Sequence, residues 1–177
     1  ASGAVTLDST DLEPVRDDGT SSGNQIIGLR FNGLPIPQGA ILTNATLQFT
    51  ADESQSEATT LSIAIEAADH AAPFAEIANN LGARPLAPFT VAWTPAAWIS
   101  GESNAAQRTA NLAGLVQEVI SRPGWAAGNA LAFLITGSGH RTADSADEAG
   151  GFPARLAIGY TAPTPLHAVD AAVYGSA

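Results

Sequence analysis

The chain of 177 residues has seven basic side chains, all of them arginine, against 17 acidic ones, and a formal net charge of −10. This charge repels nucleic-acid phosphates and anionic lipid surfaces, so no general polyanion-binding function is expected. The absence of Lys excludes Schiff-base catalysis. The absence of Cys excludes disulfides, thiolate nucleophiles and Cys-ligated metal centres. Hydrophobic residues make up 45% of the chain, a share typical of one globular domain.

Several segments alternate apolar and polar residues with period two, as half-buried strands do. Gly, Pro or Asn residues separate them, as expected of turns. The pattern predicts at least seven strands. In chain order they contain Val5/Leu7, Ile27/Leu29/Phe31, Leu47/Phe49, Leu61/Ile63/Ile65, Val91/Trp93, Leu131/Phe133/Ile135 and Leu156/Ile158/Tyr160.

One segment has helical periodicity instead. Its apolar residues recur at i, i+3, i+4, i+7 and i+8, namely Leu112, Leu115, Val116, Val119 and Ile120. They predict a helix over about 111–122, capped by Asn111 and ended by Pro123-Gly124, after which Trp125 packs back against the sheet edge. Many strands, one amphipathic helix and no βαβ alternation predict an all-β fold, an antiparallel β-sandwich or jelly roll with the helix closing one end.

The last stretch, residues 161–177, differs from the preceding 160 residues, which are predicted to form one module. Two prolines separate it from the final strand, and its apolar residues follow no clean period. It is predicted to be an arm that docks on its own domain or on a neighbouring subunit. The apolar arm residues are Leu166, Val169, Val173 and Tyr174.

Acidic residues cluster in four turns. Calcium takes about six to eight oxygen ligands from carboxylates and carbonyls on flexible loops, so these turns are candidate calcium sites. Ordinary solvated turns are the alternative interpretation, since Asp is common in turns for its local hydrogen bonds. A pair of catalytic carboxylates for glycoside hydrolysis is a third. The four groups are Asp8/Asp11/Glu13, Asp17/Asp18, Asp52/Glu53/Glu57 and Asp144/Asp147/Glu148.

Two kinds of side chain are candidates for contact with a glycan. Trp98 lies in the Pro-flanked loop TPAAWISGE and is the better candidate for exposure and stacking on a sugar ring, whereas Trp93 follows strand parity and is predicted to be core. His140 and Arg141, in GSGHRTAD, complete the candidate glycan-binding set. The alternative is that all three tryptophans are buried. No Gly-x-Ser-x-Gly nucleophile motif and no i, i+4 pair of His ligands is present.

Two blocks of the sequence, LRFNGLPIPQGAILTNATLQF and LVQEVISRPGWAAGNALAF, resemble the bacterial extracellular jelly-roll modules called DNRLRE domains. The resemblance spans about residues 4–160 and departs where Gly-His-Arg-Thr-Ala-Asp-Ser replaces a Ser-Arg-Glu signature. It implies a non-catalytic module, often with structural calcium and polysaccharide binding. It points to five acidic positions as calcium ligands: Asp11, Glu13, Asp52, Glu53 and Glu57.

These observations predict a non-catalytic, calcium-stabilised structural or adhesive subunit. It would assemble with sister subunits or a cell-surface partner through the arm and an open sheet edge, and form a filament if the contacts do not close. The opening Ala-Ser-Gly-Ala and the absence of Met fit a mature product secreted to a bacterial cell surface, although removal of an initiator Met leaves the same pattern. A carbohydrate-binding module is the first alternative, and a polysaccharide hydrolase or lyase that uses loop carboxylates and Arg141 is the second.

Overall fold

The computed structural model describes residues 3–16 and 24–164. These ranges contain eight strands, one α-helix and a short 3-10 helix at Ala105–Gln107. The elements are β1 (Asp11–Leu12), β2 (Ile27–Phe31), β3 (Ile41–Gln48), β4 (Thr60–Ile65), β5 (Val91–Trp93), α1 (Ala113–Ile120), β6 (Leu131–Ser138), β7 (Ala143–Asp144) and β8 (Arg155–Thr161).

The largest sheet has four antiparallel strands in the order β2-β6-β4-β5. Its two central strands pair so that Ile65 lies opposite Phe133 and Ile63 lies opposite Ile135. All four of these side chains are fully buried. Since successive side chains of a strand point to opposite faces, the apolar residues spaced by two collect on one face of the sheet. That face forms one wall of the core.

Strand β3 is hydrogen-bonded along both of its edges. On one edge it pairs antiparallel with the whole of β8. On the other edge it bonds to residues 107–112, where Thr109 N donates to Leu47 O at 3.0 Å and Leu112 N donates to Ala45 O at 2.7 Å. The segment that leads into helix α1 therefore acts as an additional strand beside β3.

Beyond its last residue, β3 continues in extended form and meets β7. Asp144 N donates to Thr50 O at 3.1 Å, and Ala51 bridges to Ala143. Strand β7 also pairs with β1, with Leu12 opposite Ala143. The short pair β1-β7 is thereby attached to the same edge of β3 that carries β8.

Helix α1 packs one apolar stripe against β3 and β4. The stripe consists of Leu115, Val116, Val119 and Ile120, all fully buried. Phe49, just past β3, stacks on Trp93 of β5 with ring centroids 5.7 Å apart. One continuous core therefore joins the helix, β3 and the four-stranded sheet. Within the described ranges no helix is long and apolar enough to cross a membrane.

The predictions of an antiparallel all-β chain and of one amphipathic helix are confirmed. The helix is shorter than predicted, Ala113–Ile120 rather than about 111–122. The predicted strand at Val5 and Leu7 is wrong, because that segment pairs with no strand and leaves Leu7 exposed. Every other predicted strand segment falls on β2, β3, β4, β5, β6 or β8.

Trp125 follows the helix as predicted. Its indole is buried, and its Nε1 donates to Ile36 O at 2.9 Å, which satisfies the ring's polar atom inside the core. Strand β8 ends at Thr161. The predicted arm residues lie outside the described residues: Leu166, Val169, Val173 and Tyr174.

Asn111 joins the helix to β3. Its Oδ1 accepts from Ala113 N at 2.9 Å and from Ala45 N at 3.0 Å. We expect Asn111→Ala to lower the free energy of unfolding by about 1–2 kcal/mol, because both amides lose their acceptor. Urea denaturation measures the loss. Asn111→Asp keeps the acceptor and should stay within about 0.5 kcal/mol of wild type. Equal losses in the two variants would contradict this role.

Candidate metal centre

The continuation of β3 places the acidic turn of residues 50–57 against β7. Ala51 N donates to Glu102 O at 2.8 Å, and Gly101 N donates to Ala51 O at 2.7 Å. On the opposite edge Asp52 N donates to Thr142 O at 3.0 Å. Because the backbone here is bonded on both sides, Asp52 is held at a fixed position beside β7.

Three carboxylates meet at this position. Asp52, Asp144 and Glu148 each offer one oxygen, and these oxygens all lie within 4.8 Å of one another. Asp144 belongs to β7 and is 7% exposed. Its Oδ2 accepts from Phe152 N at 2.8 Å, which ties it to the turn that contains Glu148.

The turn after β7 is built around Glu148. Gly151 N donates to Glu148 O at 3.1 Å, and Gly150 adopts a φ of +84°, which favours glycine. A Cβ at Gly151 would lie 2.8 Å from Glu148 Oε2 and 2.9 Å from Glu148 Cβ, so a larger residue there would have to displace the Glu148 side chain. Glu148 Oε2 is itself buried and has no hydrogen-bond partner in the described chain. A buried acceptor without a partner is uncommon and costly.

The electrostatics of the cluster favour a neutral or cation-bound state. Burial, followed by the charges of Asp144, Asp52 and Asp11, raises the pKa of Glu148. Burial also raises the pKa of Asp52, with Asp144, Glu53 and Asp11 adding to the effect. Like charges at close range disfavour full ionisation. A bound cation would remove this repulsion.

The three carboxylates line a recess of about 260 Å³. Ser100 and Gly101 and the turn residues Gly150 and Phe152 also line it. The ligand atoms of the cluster are oxygens alone, the donor type that hard cations such as Ca²⁺ and Mg²⁺ prefer.

Of the five predicted calcium ligands, only Asp52 belongs to this cluster. Asp11 is close enough to influence its charges but is not a member. Glu13 Oε1 lies 4.0 Å from His140 Nε2. Glu53 Oε2 accepts from Gln55 Nε2 at 2.8 Å, and Glu57 pairs with Arg16 at 3.4 Å.

The two remaining cluster members, Asp144 and Glu148, belong to an acidic turn that the sequence shows but does not connect with Asp52. The pairing of β7 with the continuation of β3 brings them together. Two-residue β7 has no apolar alternation to reveal that pairing. Asp17 and Asp18 of the fourth acidic turn lie outside the described residues.

Trp98 is not an exposed candidate for glycan contact, and the interpretation that all three tryptophans are buried is confirmed. The Trp98 indole is 2% exposed, packs beside Phe49 and Trp93, and donates from Nε1 to Ala106 O at 3.0 Å. The loop is drawn inward because Trp98 and Gln55 exchange two backbone hydrogen bonds. No face of this ring is available for a sugar.

His140 and Arg141 are also buried, at 3% and 1% exposure. The guanidinium of Arg141 donates to Thr59 Oγ1 at 2.9 Å, to Glu57 O at 3.0 Å and to Ala96 O at 3.0 Å. Its donors are therefore committed to joining two loops. Neither residue presents its side chain to an external glycan.

No protein-family model, curated protein or solved structure matches the chain. The resemblance to DNRLRE modules stays a prediction.

The raised carboxyl pKa values predict how the metal-free protein responds to pH. A carboxyl whose pKa is raised in the folded state stabilises the fold while it is protonated. That contribution is complete below the pKa of the unfolded chain, here 3.8 for Asp52 and 4.5 for Glu148. It is lost as the pH rises through the pKa of the folded state. Glu148→Gln removes the ionisation. In chelator, we expect its free energy of unfolding to match wild type near about pH 4 and to exceed it near about pH 7.

Chemical denaturation across this pH range measures the difference. Glu118→Gln is the matched control, since Glu118 is exposed on α1 and lies outside the cluster. It makes the same chemical change outside the cluster and so measures the effect of the substitution itself. A Glu148→Gln difference from wild type that is flat with pH would contradict the charge repulsion in the cluster.

The buried hydrogen bonds of Arg141 predict a large effect on stability. Arg141→Lys retains the charge but not the planar group that reaches Thr59, Glu57 O and Ala96 O together. We expect a loss of about 2–4 kcal/mol in thermal or urea denaturation. Arg155→Lys, at an exposed position of β8, should change stability by less than about 0.5 kcal/mol. Similar small effects at both positions would contradict the loop-joining role.

Proposed function

We propose that the chain is a non-catalytic structural domain of an extracellular protein, a β-sandwich of the jelly-roll type that a calcium ion stabilises. The observation that carries the proposal is the cluster of Asp52, Asp144 and Glu148, in which a buried carboxylate oxygen has no hydrogen-bond partner. A cation bound there would satisfy that oxygen and offset the mutual repulsion of three carboxylates.

Calcium fits the cluster better than other metals. Zinc in proteins is held mainly by Cys and His ligands, and the cluster contains neither. Magnesium demands a near-ideal octahedron and keeps several waters, whereas calcium accepts irregular sets of about six to eight oxygens. Carboxylates on a strand end and a glycine-rich turn, with backbone carbonyls nearby, form such an irregular set.

The ion would act as a cross-link. Asp52 follows β3, Asp144 lies on β7, and Glu148 lies in the next turn, so one ion would join a strand end to a segment far along the chain. A ligand that binds only the folded state raises stability according to its concentration and affinity. The role supported by this geometry is stabilisation rather than catalysis.

The burial of Trp98, His140 and Arg141 supports a non-catalytic role in a second way. Arg141 was the candidate catalytic residue of the hydrolase or lyase alternative, and all three were the candidate glycan-binding residues. Their side chains are engaged inside the protein. No observation on the described residues favours the carbohydrate-binding alternative. We retain assembly with sister subunits, through the segment after β8 and an open sheet edge, as the second part of the proposal.

Thermal denaturation with added calcium tests the metal site. For a Kd of about 0.1 mM, about 10 mM CaCl₂ should raise the free energy of unfolding by about 2.7 kcal/mol. For a chain of this length that corresponds to a rise in Tm of about 5–10 °C relative to protein in chelator. Calorimetric titration with calcium provides an independent readout of binding.

The two variants used for the pH experiment also test whether calcium binds at this cluster. Glu148→Gln should abolish the calcium-dependent rise in Tm while it leaves the chelated protein at least as stable as wild type near neutral pH. Glu118→Gln should respond to calcium as wild type does, and MgCl₂ at the same concentration should give a smaller rise. An equal calcium response in wild type and Glu148→Gln would overturn the assignment of the site, and no response in wild type would overturn calcium stabilisation itself.

A further inference from the structure

Strand β2 has an unpaired edge. In the four-stranded sheet β2 is terminal and pairs only with β6. Ala132 O of β6 accepts from Glu66 N, directly after β4, so the backbone groups of Ala132 face β4. Since successive residues of a strand direct their backbone groups to opposite edges, those of Phe133 face β2, where Leu29 lies opposite. Gly28 and Arg30, which alternate with Leu29, therefore direct their backbone N–H and C=O groups away from β6. The described chain supplies no backbone partner for these groups.

A groove of about 750 Å³ runs along this edge. Residues 3–7 of the N-terminal segment line it, together with the apolar side chains Phe74 and Leu81. Ile26, 39% exposed, also lines it, directly before β2 begins. The groove thus combines an open row of backbone donors and acceptors with apolar walls. Those are the two features that recognise an added β-strand.

We propose that this groove receives residues 165–177 of a second copy of the chain, which add to β2 as an extra strand. The inference rests on the assembly part of the proposed function and names the edge and the segment that would carry it. Unpaired main-chain groups on β2 would supply the hydrogen bonds, and the walls would bury apolar side chains of the incoming segment.

The length of the segment suits the groove. Strand β8 ends at Thr161, and residues 165–177 follow soon after it in the sequence. Extended, these residues span about 40 Å, whereas the length of β2 requires about 17 Å. The segment is therefore long enough to pair along the whole of β2.

The chemistry of the segment suits the groove as well. Residues 165–177 contain one acidic residue, Asp170, in a chain of net charge −10. The groove itself carries Asp11, Glu13 and Asp147 against the single cation Arg30. A nearly neutral segment therefore meets less repulsion there than an acidic surface would. Its apolar residues are Leu166, Val169, Val173 and Tyr174.

The contact would be heterologous, because the segment of one copy and the groove of the next are different surfaces. Such contacts form rings if the rotation closes and open filaments if it does not. The same interface therefore accounts for the self-assembly in the proposed function with one kind of contact.

Sedimentation velocity of the full chain tests the groove. Ile26→Lys places a charge in the groove, and Ile77→Lys makes the same change at an exposed isoleucine outside the groove. We expect wild type and Ile77→Lys to associate equally, and Ile26→Lys to associate at least about tenfold more weakly. Unchanged association of Ile26→Lys would overturn the groove while it leaves self-assembly intact. A monomeric wild type at every concentration would overturn self-assembly and this inference together.

Cross-linking identifies the occupant of the groove. Because the chain has no native Cys, only the introduced cysteines can react. Full-length Ile26→Cys and Val173→Cys chains of different tag length are mixed and treated with a short bismaleimide. A heterodimer should form, and it should be absent when Ile77→Cys replaces Ile26→Cys. If the Ile26→Cys/Val173→Cys double variant cross-links only within one chain, the segment belongs to its own groove and the second copy is excluded. The variants also keep the test valid if Ile26→Lys fails to fold.

Discussion

The fold depends on the hydrogen bonding of β3 along both edges. This strand and its continuation contact β8, β7, the segment of residues 107–112 and the loop at Gly101–Glu102. Most of these neighbours are short or irregular, and an isolated pair of short strands is marginal in water. Their positions follow from β3 because each one uses a different part of its backbone. The candidate metal centre lies where that alignment brings the continuation of β3 against β7.

Buried polar groups take a second structural role, which is to fix loops that have little regular structure. Arg84 pairs with Glu66 at 2.6 Å, both side chains nearly buried, and also lies 4.5 Å over the ring of Phe74. This fixes the loop that covers the outer face of β2. Arg141 joins the loops that contain Glu57 and Ala96 through hydrogen bonds to their carbonyls. A buried ion pair such as that of Arg84 and Glu66 is weak evidence for stability, because the cost of removing both charges from water offsets their attraction.

The apolar periodicity was sufficient to predict the long strands and the helix. Ile63 and Ile65 are spaced by two and buried, and Leu115 and Val119 are spaced by four and buried, because in each case one face of the element meets the core. Two-residue strands such as β1 and β7 carry no such pattern, and their existence depends on neighbours. The residues of these short strands do not themselves indicate which segments will pair with them.

The prediction of individual site residues succeeded less well, for the same reason. Asp52 was predicted as a ligand from its own turn, but its partners lie some ninety residues further along and meet it only through pairing across strands. Trp98 was a candidate for exposure because of its Pro-flanked loop, yet the loop pairs its backbone with Gln55 and the ring is buried. Both outcomes depend on contacts that are long-range in sequence.

The position of β3 in the chain also bears on how the protein reaches this structure. Its partners on both edges, residues 107–112 and β8, are synthesised long after it, so during synthesis its backbone groups and its buried residues Ala45 and Leu47 lack their final neighbours. Folds dominated by such non-local pairing form slowly, since loop closure precedes the stabilising contacts. The nascent chain therefore passes through a period in which a long, partly apolar strand is open to wrong pairing. Completion of the fold must wait for β8, close to the end of the described chain.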